Sequence, residues 1–581
     1  MGWHVTRSQI LVVLSVLVLF GLFLQLDLSF RFTDSRGSNS LLGLKVGIGG
    51  RRHSVWDSPS SRHGYDGNSP LSSHAVTVAD VKVKWGEEGA PRTSVLAHAP
   101  GWTVLDDIYL YNGTWYIVTD NPSSIPLRRM MISTGAEIWN DQASINRREP
   151  TENEMRIIFP SEANRLWGHS VSRVADTSFL VNDPPQFLDH YYHFAAELLF
   201  GIWRTYSSLD PSINAAGATQ LPVPARIMFP FVNAGGWNDY AKMNSFLMRA
   251  IFPSVSFEYR NDWHDRVDTE RPYKYDRLVI ADRAAAFRGP EFAKTWRTAS
   301  EAATLEGSRY WWAPVRRNLL EFVGSGTESK DEINLADYGV GIEEYDSEEY
   351  GAREVSVLDA DGSQDEPIAP RGQPKKGATN KKGGTGKGKH AAGNSGKRRG
   401  AQRGGEAPNT RTPSTPVITY VSRQDWGRRM LRKKDHEVLV EELKNLEKKY
   451  GWEVNIVSMD KLTRDEQLRL AARTTIMMGV HGNGLTHLIW MNNLNPRATV
   501  MEFFYPAGFA EDYEFTSRAL GMRHYGWWDN ESFTYPNTPA VAYPEGFQGN
   551  DIPLDGKAVA QLCEQRLLVD RVGATTEHAA S

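Results

Sequence analysis

Past Pro416 the apolar and polar positions alternate in a regular way. VITYVSR reads as a strand and DHEVLVEELKNLEKKYG as a helix stopped at Gly451. WEVNIVSM is a strand, and TRDEQLRLAARTT is a helix opened by Thr463 and Glu466 at capping-box spacing. TIMMGV is a strand, GLTHLIWM starts a helix, and ATVMEFF is a strand. Strands alternating with helices predict a doubly wound parallel sheet, which takes its ligand at the C-terminal ends of its strands. Earlier in the chain, IYLYNGTWYIV alternates around Asn-Gly and predicts a β-hairpin. Phe187 to Leu209 is apolar at helical spacing and predicts a helix. ARIMFP and RLVIAD read as strands, WNDYAKMNSFLMRAIF as a helix, and SRYWWAPVRRNLLEFV as a helix broken or kinked at Pro314.

Elsewhere the periodicity fails. Residues 27–100 are rich in Ser, Gly, Arg and Pro and read as an extended stem, with order expected to begin near Trp102. Residues 324–416 run from an acidic stretch around EEYDSEEY to a Lys/Arg/Gly-rich one, and cannot bury enough surface to fold. The chain therefore divides into a tail (1–9), an apolar span (10–26), the stem, an N-terminal domain (101–323), the disordered insertion, a C-terminal domain (417–535) and a C-terminal segment (536–581) that partly packs back and ends in a flexible tail. The span ILVVLSVLVLFGLFL, extended by Gln25 and Leu26, reaches the roughly 17 residues that can cross a bilayer. No A-x-A site follows it, which favours an uncleaved signal anchor over a removed leader. The sequons Asn112-Gly113-Thr114 and Asn530-Glu531-Ser532 fit a lumenal body. A short span with a stem leans to the Golgi membrane over the endoplasmic reticulum.

Composition narrows the chemistry. One cysteine, Cys563, excludes an intrachain disulfide, a Cys-based zinc site and a CxxC redox pair. A net charge of -4 over 581 residues makes no field for nucleic acid, and the basic half of the insertion suits nucleic acid poorly in a lumenal protein. There is no GxSxG. The Asp-x-Asp at Asp359–Asp361 lies in the insertion, where a metal-diphosphate clamp would have no frame, so no metal ligand is assigned.

Four places carry candidate chemistry. His481-Gly482-Asn483-Gly484 lies between a strand and a helix, where unpaired amides favour an anion; its alternative is a tight turn without a ligand. Arg423 ends the first strand of the same sheet, followed by Arg428 and Arg429, and guanidinium forks suit diphosphate oxygens. Glu502 sits in an apolar strand, where it either holds ribose hydroxyls or is a buried structural carboxylate. On the long helix, His193 and Glu197 share a face, with Asp189 nearby; one of the three is placed to deprotonate a hydroxyl, and the alternative is a satisfied core histidine.

Taken in order, ITYVSRQDWGRRML, VNIVSMDKL, MMGVHGNGLTHLIWM and ATVMEFFYPAG resemble the C-terminal core of glycosyltransferase family 61. DHYYHFAAELLFGIWRTY and RLVIADRAAAFRG resemble its N-terminal segment. The resemblance covers roughly residues 105–320 and 417–530 and is closest to fungal-type members. The family includes plant β-1,2-xylosyltransferases and secretory-pathway O-linked GlcNAc transferases. It implies an α/β, GT-B-like fold with two Rossmann-type domains facing a cleft. The implied activity is inverting transfer from a UDP-sugar to a glycan or glycoprotein, without a metal cofactor. The donor would bind Arg423, Arg428, Arg429, His481, Gly482, Asn483, Gly484 and Glu502, and His193, Glu197 or Asp189 would supply the base. The alternative on the same fold is an inactive sugar- or nucleotide-binding protein. Asn483 stands where the family has alanine and His487 where it often has asparagine, and the charged insertion is not a family feature.

Overall fold

The structure, a computed structural model, describes residues 81–324 and 415–576, with side chains to residue 568. The expected anchor at 10–26, most of the stem and the insertion with its Asp-x-Asp lie outside the described residues. Among the described residues no helix is long and apolar enough to cross a membrane.

Nine strands form the first sheet: β1 (Lys82–Lys84), β2 (Ser94–Ala99), β3 (Trp102–Tyr111), β4 (Thr114–Val118), β5 (Met155–Ile158), β6 (Ser170–Val181), β7 (Arg226–Met228), β8 (Ser256–Glu258) and β9 (Tyr273–Ala281). Strands β9, β6, β7 and β8 run parallel, the pattern expected of a Rossmann-type half. Strand β3, however, is antiparallel to β2, β4 and β9. The first sheet is therefore mixed. The reason is local: the two-residue Asn112-Gly113 turn can only fold the chain back on itself, so β3 and β4 pair as the predicted hairpin. Order also begins before Trp102. β1 and β2 contain the polar residues of the supposed stem and are held by pairing with β6 and β3, partners that local pattern does not reveal.

The second sheet matches expectation more closely. β10 (Val417–Val421), β11 (Glu453–Val457), β12 (Ile476–Val480), β13 (Thr499–Phe503) and β14 (Arg523–Trp528) are parallel, in the order β11-β10-β12-β13-β14, and β15 (Glu531–Phe533) adds an antiparallel edge. The helix Lys433–Tyr450 ends on left-handed Gly451, and Thr463 and Glu466 make the predicted capping box on the helix Arg464–Arg473. This strand order reverses between β10 and β12, so the crevice at their C-terminal ends is a topological switch point.

The strands of the second sheet bury side chains on both faces. Tyr420, Met478 and Phe503 pack under the helices Lys433–Tyr450 and Gly556–Thr576. On the other face, Val421, Met477 and Val500 join a core continuous with Phe194, Trp203 and Trp312 of the first lobe. Polar bonds cross the same seam: Trp312 Nε1 donates to Ile489 O (2.7 Å), Arg316 Nε to Trp490 O (2.9 Å), and Trp490 Nε1 to Tyr191 Oη (3.0 Å). Pro314 does not kink its helix. It stands in the first turn of Ala313–Phe322, where its missing N–H is not needed. The two sequons lie at exposed turns, Asn112 between β3 and β4 and Asn530 between β14 and β15.

Candidate functional site

The His481–Gly484 loop leaves the end of β12 and enters the predicted helix, which is of 3-10 type, Asn483–Trp490. The first amides of that helix have no partner within it and point out of its N-terminal end. Arg423, just past β10, lies against this loop: a Cβ on Gly482 would meet its Nη1 at 2.5 Å. A Cβ on Gly484 would meet Val421 Cγ1 at 2.8 Å. The two glycines therefore leave room for the end of β10 to close on the loop. The result is a guanidinium held beside the amides at the switch point. Arg428 is exposed on the following turn, while Arg429 is buried and donates from Nε to Gln548 Oε1 (2.6 Å).

His481 hands its geometry to residues below it. Its Nδ1 is 2.5 Å from Glu502 Oε1, and His524 Nε2 is 2.8 Å from Glu502 Oε2. Glu502 has no solvent exposure and both oxygens are engaged, so the expected contact with ribose is replaced by support of His481. Burial, with the negative charge of Asp512 next in effect, raises the Glu502 carboxyl well above its usual range, Arg429 opposing. Burial pushes His524 down to about 3, so it is neutral. His524 Nδ1 is buried without a hydrogen-bond partner. Orphaned buried N–H groups are rarer than orphaned acceptors, which places the His524 proton on Nε2, donating to Oε2. Glu502 thus links His481 and His524 in one buried hydrogen-bonded chain that fixes the orientation of the His481 ring.

A second His–Glu pair has different partners. The predicted helix from Phe187 is present as a 3-10 turn, a π-helical segment His193–Leu199 and an α-helix Phe200–Ser207. His193 Nδ1 is 2.7 Å from Glu197 Oε2. Arg283 Nη1 donates to the same oxygen (2.5 Å), and Arg297 Nη1 is 3.7 Å from Oε1. Burial pushes the Glu197 carboxyl up, but Arg283, His193 and Arg297 outweigh it and hold it well below the usual range. An ionised Glu197 accepts from His193 Nδ1–H, which leaves Nε2 as the ring nitrogen turned to other partners. Glu197 itself, locked to two guanidiniums, is not the base the sequence reading allowed it to be. Asp189 is exposed, and partial burial raises its carboxyl.

A chain of contacts links the two pairs across the seam between the lobes. Tyr192 N donates to Asn483 Oδ1 (3.2 Å), and Tyr192 Oη to Asp512 O (3.0 Å). The rings of His193, Tyr192, Tyr513 and His481 follow one another at 5.5, 5.3 and 5.6 Å. Arg297 Nη1 donates to Asp512 Oδ1 (2.7 Å), which ties the first lobe to the helix Asp512–Ala519. Asn483 thus spends its side-chain oxygen on the neighbouring lobe. His487, buried against Tyr191, donates from Nδ1 to Gly484 O (3.1 Å) and braces the loop. Arg283, Arg297, Asp512 and His524 were not singled out from sequence. RLVIADR contains one usable signal, a basic residue closing an apolar strand. Among the described residues no group of three His, Cys, Asp or Glu side chains is placed to hold a metal ion.

The buried ion pair carries a pH dependence. The folded Glu197 carboxyl lies below its ordinary value of 4.5, so its contribution to stability is present above that value and lost as pH falls below it. The thermal unfolding midpoint of the wild-type protein is expected to fall more steeply as pH drops from about 5 to 3 than that of Glu197→Gln, measured by circular dichroism. Equal slopes would mean that the pair does not titrate with unfolding.

These features define a two-lobed α/β protein with Arg423 against the loop amides at a switch point, linked along the lobe seam to a second His–Glu pair. Residues 384–500 match the sequence model of the family described as Glycosyltransferase 61. The resemblance to that family is thus borne out for the segment that holds Arg423 and the His481–Gly484 loop. The EGF domain-specific O-linked N-acetylglucosamine transferase of Drosophila melanogaster is similar too, at 33% identity over 129 residues. That match spans 22% of this chain and 22% of the relative's length.

Proposed function

We propose that the protein is an inverting glycosyltransferase that moves a sugar from a UDP-sugar to a hydroxyl of a glycan or glycoprotein. One observation carries this reading: Arg423 and the amides of the His481–Gly484 loop stand together at the switch point, on the seam where Tyr192, next to the His193–Glu197 pair, bonds Asn483. The donor diphosphate lies against the loop amides and Arg423. Its leaving charge is met by amides, guanidinium and His481, without a metal. The acceptor hydroxyl enters on the side of the first lobe and gives its proton to His193 Nε2 as its oxygen attacks the anomeric carbon. The C–O bond to the diphosphate breaks on the opposite face, which inverts the centre. Ionised Glu197 stabilises the imidazolium that forms.

Xylose and N-acetylglucosamine are the candidate sugars, and the name of the Drosophila relative favours the second, O-linked to protein. The reading includes a single-pass type II anchor through residues 10–26 and a lumenal body in the Golgi or endoplasmic reticulum. It is supported by the apolar run and by two sequons at exposed turns.

The test is nucleotide release from a panel of UDP- and GDP-sugars, with and without EDTA, beside calorimetric binding. Release from one UDP-sugar, unchanged by EDTA, is expected. Binding without release, even with glycopeptide acceptors, would favour the inactive binding protein. No binding of any nucleotide would end the functional reading, and release lost to EDTA would end metal independence alone.

A further inference from the structure

We propose that the segment from Val541 to Ile552 forms the sugar-side wall of the donor site, with Tyr543 contacting the transferred sugar and selecting it. The assignment rests on the functional reading above. The segment lies beyond residues 384–500, where the family match ends.

Its construction is specific. Ala542 and Phe509 exchange backbone hydrogen bonds of 3.0 and 2.9 Å, which fix its start to the chain after β13. Its end is fixed to the loop after β10: Met430 N donates to Gly549 O (3.3 Å), Ile552 N to Met430 O (3.1 Å), and Asn550 Nδ2 to Gly427 O (2.7 Å). Arg429 reaches Gln548 from the same loop. The middle depends on two glycines. Gly546 has φ +96° and no room for a side chain, since a Cβ would sit 2.7 Å from Tyr505 Cζ. A Cβ on Gly508 would lie 2.5 Å from the Phe547 ring. This close packing sets Phe547 5.4 Å from the ring of His481.

Tyr543 stands edge-on to Phe547 at 5.0 Å and stays 44% exposed. The charges of Asp512, Arg297, Arg429 and Glu502 act on its hydroxyl, and through Phe547 its ring stands one ring away from His481. A pyranose presents apolar C–H groups on its faces and hydroxyls around its edge. A held aromatic face beside carboxylates and guanidiniums matches both. With the diphosphate at the His481–Gly484 loop, the sugar attached to it is the part of the donor that falls against Tyr543.

The experiment compares wild type, Tyr543→Phe and Tyr543→Ala in the full chain. It measures kcat and KM with UDP-xylose and UDP-N-acetylglucosamine, the affinity for UDP alone, and the unfolding midpoint. Expected for Tyr543→Ala are unchanged UDP affinity, a KM for the preferred donor raised about tenfold and a ratio of kcat/KM between the two donors reduced by a similar factor. Tyr543→Phe should fall between, and it carries the test if the alanine variant does not fold. An unaltered donor ratio in a folded variant, with wild type active, would overturn the role of Tyr543 and leave the functional reading standing. A wild-type protein inactive on every donor would overturn the functional reading and this assignment with it.

Discussion

Arg423→Ala is expected to weaken binding of UDP and UDP-sugars by about 10- to 100-fold while the unfolding midpoint stays near that of the wild-type protein. The magnitude follows from losing charge-assisted hydrogen bonds worth about 1.5–3 kcal/mol to a diphosphate. The reason to choose Arg423 over its neighbours is positional. It alone of the three candidate arginines lies against the loop after β12, with Gly482 shaped to receive it. Arg429 supports the C-terminal segment through Gln548, and Arg428 is exposed. Arg423→Lys should recover only part of the loss, because an ammonium restores the charge but not the fork. Calorimetry with UDP is the direct measurement. A dissociation constant unchanged in Arg423→Ala would remove the cradle from the site.

His193→Ala is expected to lower kcat by about 10²- to 10⁴-fold with UDP-sugar affinity within about twofold of wild type. This is the separation that the two-sided cleft demands. The donor cradle belongs to the ends of β10 and β12, whereas His193 is carried by the π-helical segment of the other lobe. Glu197→Gln should also lower kcat, since a neutral amide no longer stabilises the imidazolium that His193 becomes. Single-turnover rates beside calorimetric binding separate the effects. Equal losses of affinity in Arg423→Ala and His193→Ala would contradict the division of labour.

Glu197 and Glu502 show where sequence reading reaches its limit. Each is a glutamate in an apolar stretch with a histidine hydrogen-bonded to it. Two buried arginines from distant segments hold Glu197 ionised, and burial near Asp512 raises Glu502. The partners that set the sign are 86 and 100 residues away from Glu197 in sequence, at Arg283 and Arg297, so no local spacing announces them. Tyr543 is a further case, an aromatic in a loop of Pro and Gly whose importance follows only from where that loop is fastened.

Sequence alone determined most of the second lobe: four of its parallel strands, β10 to β13, the capped helices, and Arg423 and His481 at the ends of β10 and β12. Strand burial, helical periodicity and end caps are written within a few residues of where they act, so they are readable without contacts. It also established the Asn112-Gly113 hairpin, though not that this hairpin makes the first sheet mixed. Tertiary structure alone decided the pairing of β1 and β2, the filling of the Gly482 and Gly484 spaces by the end of β10, and the opposite shifts of Glu197 and Glu502. Each of those depends on desolvation and charge at a point where several segments distant in sequence converge, and only folding brings those segments together.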